Sequence, residues 1–249
     1  MILDMLKKVA LKRATGRTAA SVRIGICYTA VMLDNGSTGL AYTFRHDIPH
    51  GCASFQGNVP LEGKSAEELL DFLDSSDLII RTVGVAAMNA LLNTENKDLI
   101  KADVLELLKP EKDDVVGMVG YFGPLVAPLK KAAGELKIFE KEGEKAPDIY
   151  PEEKAFELLP LCSKVIITST SLINLTLEKL LETTRNCEKT ALVGSTTPLA
   201  VNVFRELGVD LLSGVIVKDP KSILRVVSEG GGVRLFRNYV EKVNAVCTA

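Results

Sequence analysis

The feature that most constrains this chain is the alternation of apolar strand and helix patterns after residue 112. VVGMVGYFG reads as a buried strand running into a glycine turn, and PLVAPLKKAA as a helix. LKIFE is a strand, PEEKAFELL a helix, KVIITST a strand and LINLTLEKLLETT a helix. TALVGS, PLAVNVFREL, LLSGVIV and PKSILRVVSE keep the same rhythm as far as Gly230-Gly231-Gly232. Strands that alternate with helices form parallel sheets, because a parallel pair needs a crossover long enough to hold a helix. The expected class is therefore α/β: a Rossmann-like parallel sheet with helices on both faces. The segment KEGEKAPDIYPEE reads as a surface connection within it.

The preceding residues follow a different grammar. Residues 2–15 have the period of an amphipathic helix, with Leu3, Leu6, Val9 and Ala10 on one face. SVRIGICYTAVML alternates as a strand, and Asn35-Gly36 then signals a hairpin. Residues 45–64 show no period, and long connections of that kind are often functional. Ser65-Ala66-Glu67-Glu68 is a capping box, opening a helix to about residue 73. Residues 76–92 form a nearly all-apolar helix, and residues 103–109 a short one ending before Pro110. The expected organisation is an α+β domain over residues 1–110 and a Rossmann-like domain over residues 111–249.

Composition narrows the function classes. The 249 residues are 47% hydrophobic but only 5% aromatic, which suits a core of Leu, Val, Ile and Ala between helices and a parallel sheet. With 30 basic and 32 acidic side chains, and no run of either sign, nucleic acid is not an expected partner. No apolar run is long enough to span a bilayer. The five cysteines are widely spaced without a CxxC pair, which argues against a disulfide framework and against a thiolate zinc site. The opening MILDMLKKVALKRATGR is amphipathic and has no continuous apolar stretch, so a reducing cytoplasm is expected. An oligomer is compatible with the composition, but the sequence marks no interface.

In open parallel sheets, ligands bind beyond the C-terminal ends of the strands. Four such ends are readable. One is the glycine turn with Gly120, Tyr121, Phe122 and Gly123. The second carries Thr168, Ser169, Thr170 and Ser171, with Asn174 one turn on. The third is Gly194, Ser195, Thr196 and Thr197, and the fourth is Lys218 and Asp219. Helix capping explains Gly123-Pro124, Thr197-Pro198 and Asp219-Pro220 without a ligand. It does not require four consecutive hydroxyls, which would suit an anion or polar molecule. Glycines spaced by threes match the dinucleotide fingerprint poorly. Glu140 nevertheless ends the next strand where a ribose-binding acid would stand. Asn89, in an apolar helix, is either a satisfied core amide or a group facing the domain interface. His46, Asp47, His50 and Cys52 place both histidines and a thiol in one long loop, beside Arg45. Imidazole, carboxylate and thiolate suit a borderline or soft transition metal, with His46, His50 and Cys52 as the candidate ligands. Arg45 is a candidate for facing an anion.

GVAAMNAL, VGMVGYFGPLV, ITSTSLINLTLEKLL, LVGSTTPLAVNVF and GVIVKDPKSILRVVSEGGG together resemble the putative heavy-metal chelation domain family. The resemblance covers nearly the whole chain. It implies an N-terminal domain similar to the enolase N-terminal fold, a Rossmann-like domain after it, and a shared cleft. It further implies a link to metal or corrinoid metabolism in anaerobic bacteria. It transfers no catalytic residue, and an enolase-like domain brings no enolase chemistry without the barrel that carries it. Three readings follow. The first is a protein that binds a metal or metal complex in the interdomain cleft. The second is an enzyme acting on a nucleotide-like or phosphorylated small molecule at the glycine turn. The third is a regulatory or scaffold protein with a vestigial site.

Overall fold

The computed structural model describes residues 1–45, 59–141 and 148–247. It opens with α1 (Ile2–Ala14), which buries Ile2, Leu3, Leu6, Ala10 and Ala14. Three strands follow, β1 (Ala19–Ile24), β2 (Tyr28–Leu33) and β3 (Thr38–Tyr42), in an antiparallel sheet of order β1-β2-β3. The Asn35-Gly36 hairpin is present, with Gly36 at φ +83°. The single strand expected over SVRIGICYTAVML is instead two, broken at Gly25. A Cβ on Gly25 would lie 2.3 Å from the Val227 carbonyl oxygen, so the turn is fixed by a helix from the far end of the chain.

Next come α2 (Ala66–Asp71), with both halves of the Ser65–Glu68 capping box formed, and a 3-10 turn over Phe72–Asp74. α3 (Leu78–Leu92) is buried along nearly its whole length and capped by the Asp77 carboxylate. α4 (Val104–Leu108) ends at Lys109 in the left-handed region.

The second sheet is built from β4 (Val115–Val119), β5 (Glu135–Glu140), β6 (Ile149–Pro151), β7 (Lys164–Thr168), β8 (Lys189–Val193), β9 (Leu211–Val217) and β10 (Val240–Val246). The helices among them are α5 (Gly123–Ala132), α6 (Ala155–Leu158), α7 (Leu177–Thr183), α8 (Val201–Glu206), α9 (Pro220–Ser228) and α10 (Val233–Phe236). The strand order is β10-β9-β8-β7-β4-β5-β6. Strict alternation fails in two places. β6 lies within what reads as a surface connection and adds to β5 in parallel. β10, where no element was expected, runs antiparallel to β9 along its whole length. Among the described residues no helix is long and apolar enough to cross a membrane.

Both faces of the sheet are buried, which explains the unbroken apolar runs. Val116, Met118, Ile166, Ala191 and Val193 face α4 and α5 through Val104, Leu108, Leu129 and Ala133. Val119, Val165, Ile167 and Leu192 face a larger core shared with α7, α8, α1 and α3. The N-terminal end of the sheet is ionic. Lys164 Nζ sits 2.5 Å from Asp114 Oδ2 with both side chains buried, and it also donates to the Lys109 carbonyl. Ser163 Oγ donates to Asp114 Oδ1, and Lys189 Nζ to the Leu107 carbonyl. Two lysines thus bind the last carbonyls of α4, where a helix favours positive charge.

Candidate functional site

The six parallel strands, counted from β4 as the first, run 3-2-1-4-5-6. In sheets of that order the crevice opens where the winding reverses, beyond the C-terminal ends of strands one and four. Here those are β4 and β7, so the loops at Gly120 and Thr168 flank it.

The structure draws three of the expected loops together. Gly120 has φ +86°, and a Cβ there would lie 2.9 Å from Thr168 Cβ. Gly194 has φ +136°, and a Cβ there would lie 2.7 Å from Ser169 Oγ. The backbones after β4 and β8 therefore close on the Thr168–Ser169 turn from either side. The four hydroxyls of that turn are not equivalent. Thr168 and Thr170 hydroxyls bond each other at 3.0 Å, and Ser171 Oγ donates to the Thr168 carbonyl at 2.6 Å. Ser169 is fully buried and its hydroxyl has no partner among the described residues. A buried hydroxyl without a partner is uncommon enough to mark its position.

The N-terminal part closes over the next strand end. The Tyr42 N–H donates to Thr196 Oγ1 at 3.0 Å, and the Asn89 amide donates to both the Leu40 and Thr196 carbonyls at 2.9 Å. Asn89 thus ties the two parts together, with its Oδ1 unpartnered among the described residues. Asn93, one turn on, repeats the device. It donates to the Thr197 carbonyl and accepts from the Leu199 N–H, both at 2.9 Å. Ser195 is hydrogen-bonded to Tyr28, whose hydroxyl burial pushes up to about 12. Tyr28 therefore stays neutral at any physiological pH. It stacks edge-on against Phe236 and Tyr42, and Tyr42 against Phe44, a row that leads to Arg45 at the end of the described segment.

Other candidates are committed locally. The Glu140 carboxylate accepts from the Tyr121 N–H at 2.7 Å and the Lys141 N–H at 2.9 Å, so it braces the glycine turn. Tyr121 is exposed, Phe122 packs into the core, and Gly123 is the first residue of α5. Asn174 accepts from the backbone and hydroxyl of Thr176. Asp219 caps α9 through Ser222, whose bonds hold the carboxyl below its usual range. His46, Asp47, His50 and Cys52 lie outside the described residues. Among the described residues no group of three or more His, Cys, Asp or Glu side chains could hold a metal. Sequence reasoning missed Tyr28, Tyr42 and Asn93. Only Asn93 left a signal, as a second amide four residues after Asn89.

The DUF364 family, described as putative heavy-metal chelation, matches residues 103–246, more than half of the chain. The chain belongs to that family. DUF4213, with the same description, matches residues 7–92. An uncharacterised protein of Methanocaldococcus jannaschii is 29% identical over 184 residues, which is 72% of this chain and 71% of that one. Two crystal structures of DUF364 proteins of unknown function share the fold. One, from Pyrococcus horikoshii, is 24% identical with a TM-score of 0.87, covering 99% of this chain and all of the other. The second, from Desulfitobacterium hafniense, is 25% identical with a TM-score of 0.80 and covers 98% of each chain.

Proposed function

We propose that the protein binds a metal complex in a cleft between its N-terminal α+β domain, residues 1–110, and the C-terminal edge of its parallel sheet. The observation that carries this is the Tyr42–Thr196 hydrogen bond. It anchors β3 to the sheet edge just before the chain enters Arg45, His46, His50 and Cys52. The family description agrees with a metal as cargo.

The described edge does not by itself fit a bare heavy-metal ion, because it offers hydroxyls and backbone groups and no cluster of His, Cys or carboxylate donors. Such groups fit the polar periphery of a chelate. His46, His50 and Cys52 are the residues that would supply nitrogen and sulfur to a borderline or soft ion. Thr168, Thr170, Gly194 and Ser195 would meet its oxygen- or nitrogen-bearing ligands. A ligand that binds only the folded chain raises stability, by roughly 2.7 kcal/mol at a hundredfold excess over Kd. Melting curves with iron, cobalt, nickel, copper(II), zinc and molybdate, each added free and with a small oxygen- and nitrogen-donor chelator, should show at least one upward shift, and His46→Ala with His50→Ala should abolish it. No shift with any of them would remove the proposal.

The strand order supports a second reading, a nucleotide-like ligand at the β4–β7 crevice. Against it, the Glu140 carboxylate already takes the Tyr121 N–H, a turn amide that a phosphate would use, and adds negative charge there. Calorimetric titration with adenine dinucleotides and S-adenosylmethionine separates the readings. Flat traces with all of them retire the second.

A further inference from the structure

The N-terminal end of the sheet holds a pair of soft donors far from the hydroxyl edge. Cys162 precedes β7 and Cys187 precedes β8. Cys162 Sγ donates to the Leu158 carbonyl at 3.5 Å, and Cys187 Sγ to the Leu159 carbonyl at 3.6 Å. The two thiols therefore donate to the carbonyls of successive residues at one turn of the chain. Gly117, in the middle of β4, makes the room. A Cβ there would lie 2.6 Å from Leu159 Cδ2 and 3.0 Å from the Cys162 sulfur. Neither thiol is in a disulfide; Cys162 is buried and Cys187 half-buried. Lys137, ion-paired with Glu135, is close enough to act on Cys162.

Two thiols so placed are not nucleophiles. Burial pushes Cys162 up to about 11 and moves Cys187 in the same direction, so both are protonated at neutral pH. What displaces protons from such sulfurs is a cation with a strong preference for thiolate. Zinc would need four ligands, and among the described residues no third or fourth donor joins the pair.

We infer that Cys162 and Cys187 form a two-thiolate site for a soft, linearly coordinated univalent cation of the copper(I) and silver(I) class. Capture breaks two S–H bonds and forms two S–metal bonds. It releases two protons to solvent and changes no oxidation state. The bound site carries one net negative charge, beside the Lys137–Glu135 ion pair. No residue of the proposed cleft takes part, so either site can fail without the other.

The test is a silver(I) titration of the full chain carrying Cys27→Ser, Cys52→Ser and Cys247→Ala, read by the ultraviolet thiolate-to-metal band and by X-ray absorption at the silver edge. One equivalent of silver with two sulfur neighbours is expected. Adding Cys187→Ser should weaken it by about 100-fold or more, the upper end of what even a supporting residue costs a metal site. It should leave the silver-free melting temperature unchanged, since Cys187 is half-buried. Silver bound through one sulfur, or binding indifferent to Cys187→Ser, would overturn the assignment, as would zinc held as tightly as silver. Should the triple variant not fold, Cys187→Ser in the otherwise unaltered chain must lose one tightly held equivalent. Retention of every equivalent overturns the assignment equally.

Discussion

The two ends of the seven-stranded sheet are built on opposite principles. At the N-terminal end, charges are buried and all are answered. Lys164, Asp114, Ser163 and Lys189 satisfy one another and the last carbonyls of α4. At the C-terminal end, the hydroxyls and amides around the loops after β7 and β8 are neutral, and several are left without a partner among the described residues. Of the four buried side-chain polar atoms without a partner among the described residues, Ser169 Oγ, Thr197 Oγ1 and Asn89 Oδ1 belong to this edge or to the seam that covers it. Native chains seldom leave such atoms unpaired. The contrast separates a region spent on stability from one with hydrogen-bonding capacity still in hand.

The ionic end should break hardest. Lys164→Met strands the Asp114 carboxylate in a buried site and should cost about 3–5 kcal/mol in urea unfolding. A loss under about 1 kcal/mol would mean that the pair is not structural. The same pair sets an acid limit. Burial alone would raise the Asp114 carboxyl, but the bonds from Lys164, Ser163 and the Glu111 N–H outweigh it and hold the group below its usual range. Its folded-state value is depressed, so its contribution is complete above the unfolded value near 4 and disappears as pH falls through the folded one. Asp114→Asn should therefore flatten the loss of stability between pH 5 and pH 3, and an unchanged slope would assign acid sensitivity elsewhere.

At the other end, Gly120→Ala combines a left-handed backbone with a contact to Thr168, and should cost about 2–3 kcal/mol. Gly16→Ala, at φ +72° with nothing within 4 Å of the added Cβ, isolates the backbone part at about 1 kcal/mol. Equal losses would show that the loops after β4 and β7 do not touch as described. Asn89→Ala deprives two carbonyls of their donor and should cost about 1–2 kcal/mol. Ser169→Ala should be the smallest, within about 0.5 kcal/mol, because its hydroxyl makes no bond to lose. A large loss there would erase the contrast between the ends.

Local signals carried much of the fold. The Ser65–Glu68 capping box, the Asn35-Gly36 turn and the strand–helix alternation each depend on neighbours in sequence, and each is present. What escaped depends on distant partners. The break at Gly25 lies where α9 passes close over it, leaving no room for a Cβ. β10 mixes Glu, Lys and Asn into its apolar residues because it is an outer strand, and only its pairing with β9 makes it one. The candidate site follows the same rule. The residue types at its strand ends were legible, but Thr196 reads as any other helix-start threonine until Tyr42 is seen to donate to it. Glu140 reads as a strand-end acid, and only the fold shows it holding the Tyr121 N–H.

The paired amides of α3 carry one further consequence. Asn89 and Asn93 stitch consecutive carbonyls, Thr196 and Thr197, to a helix buried along nearly its whole length. The seam behaves as a weld rather than a hinge. The entropy of ordering that strand end is spent when the chain folds, so any ligand of the proposed cleft would meet a surface already set and keep more of its contact energy as affinity.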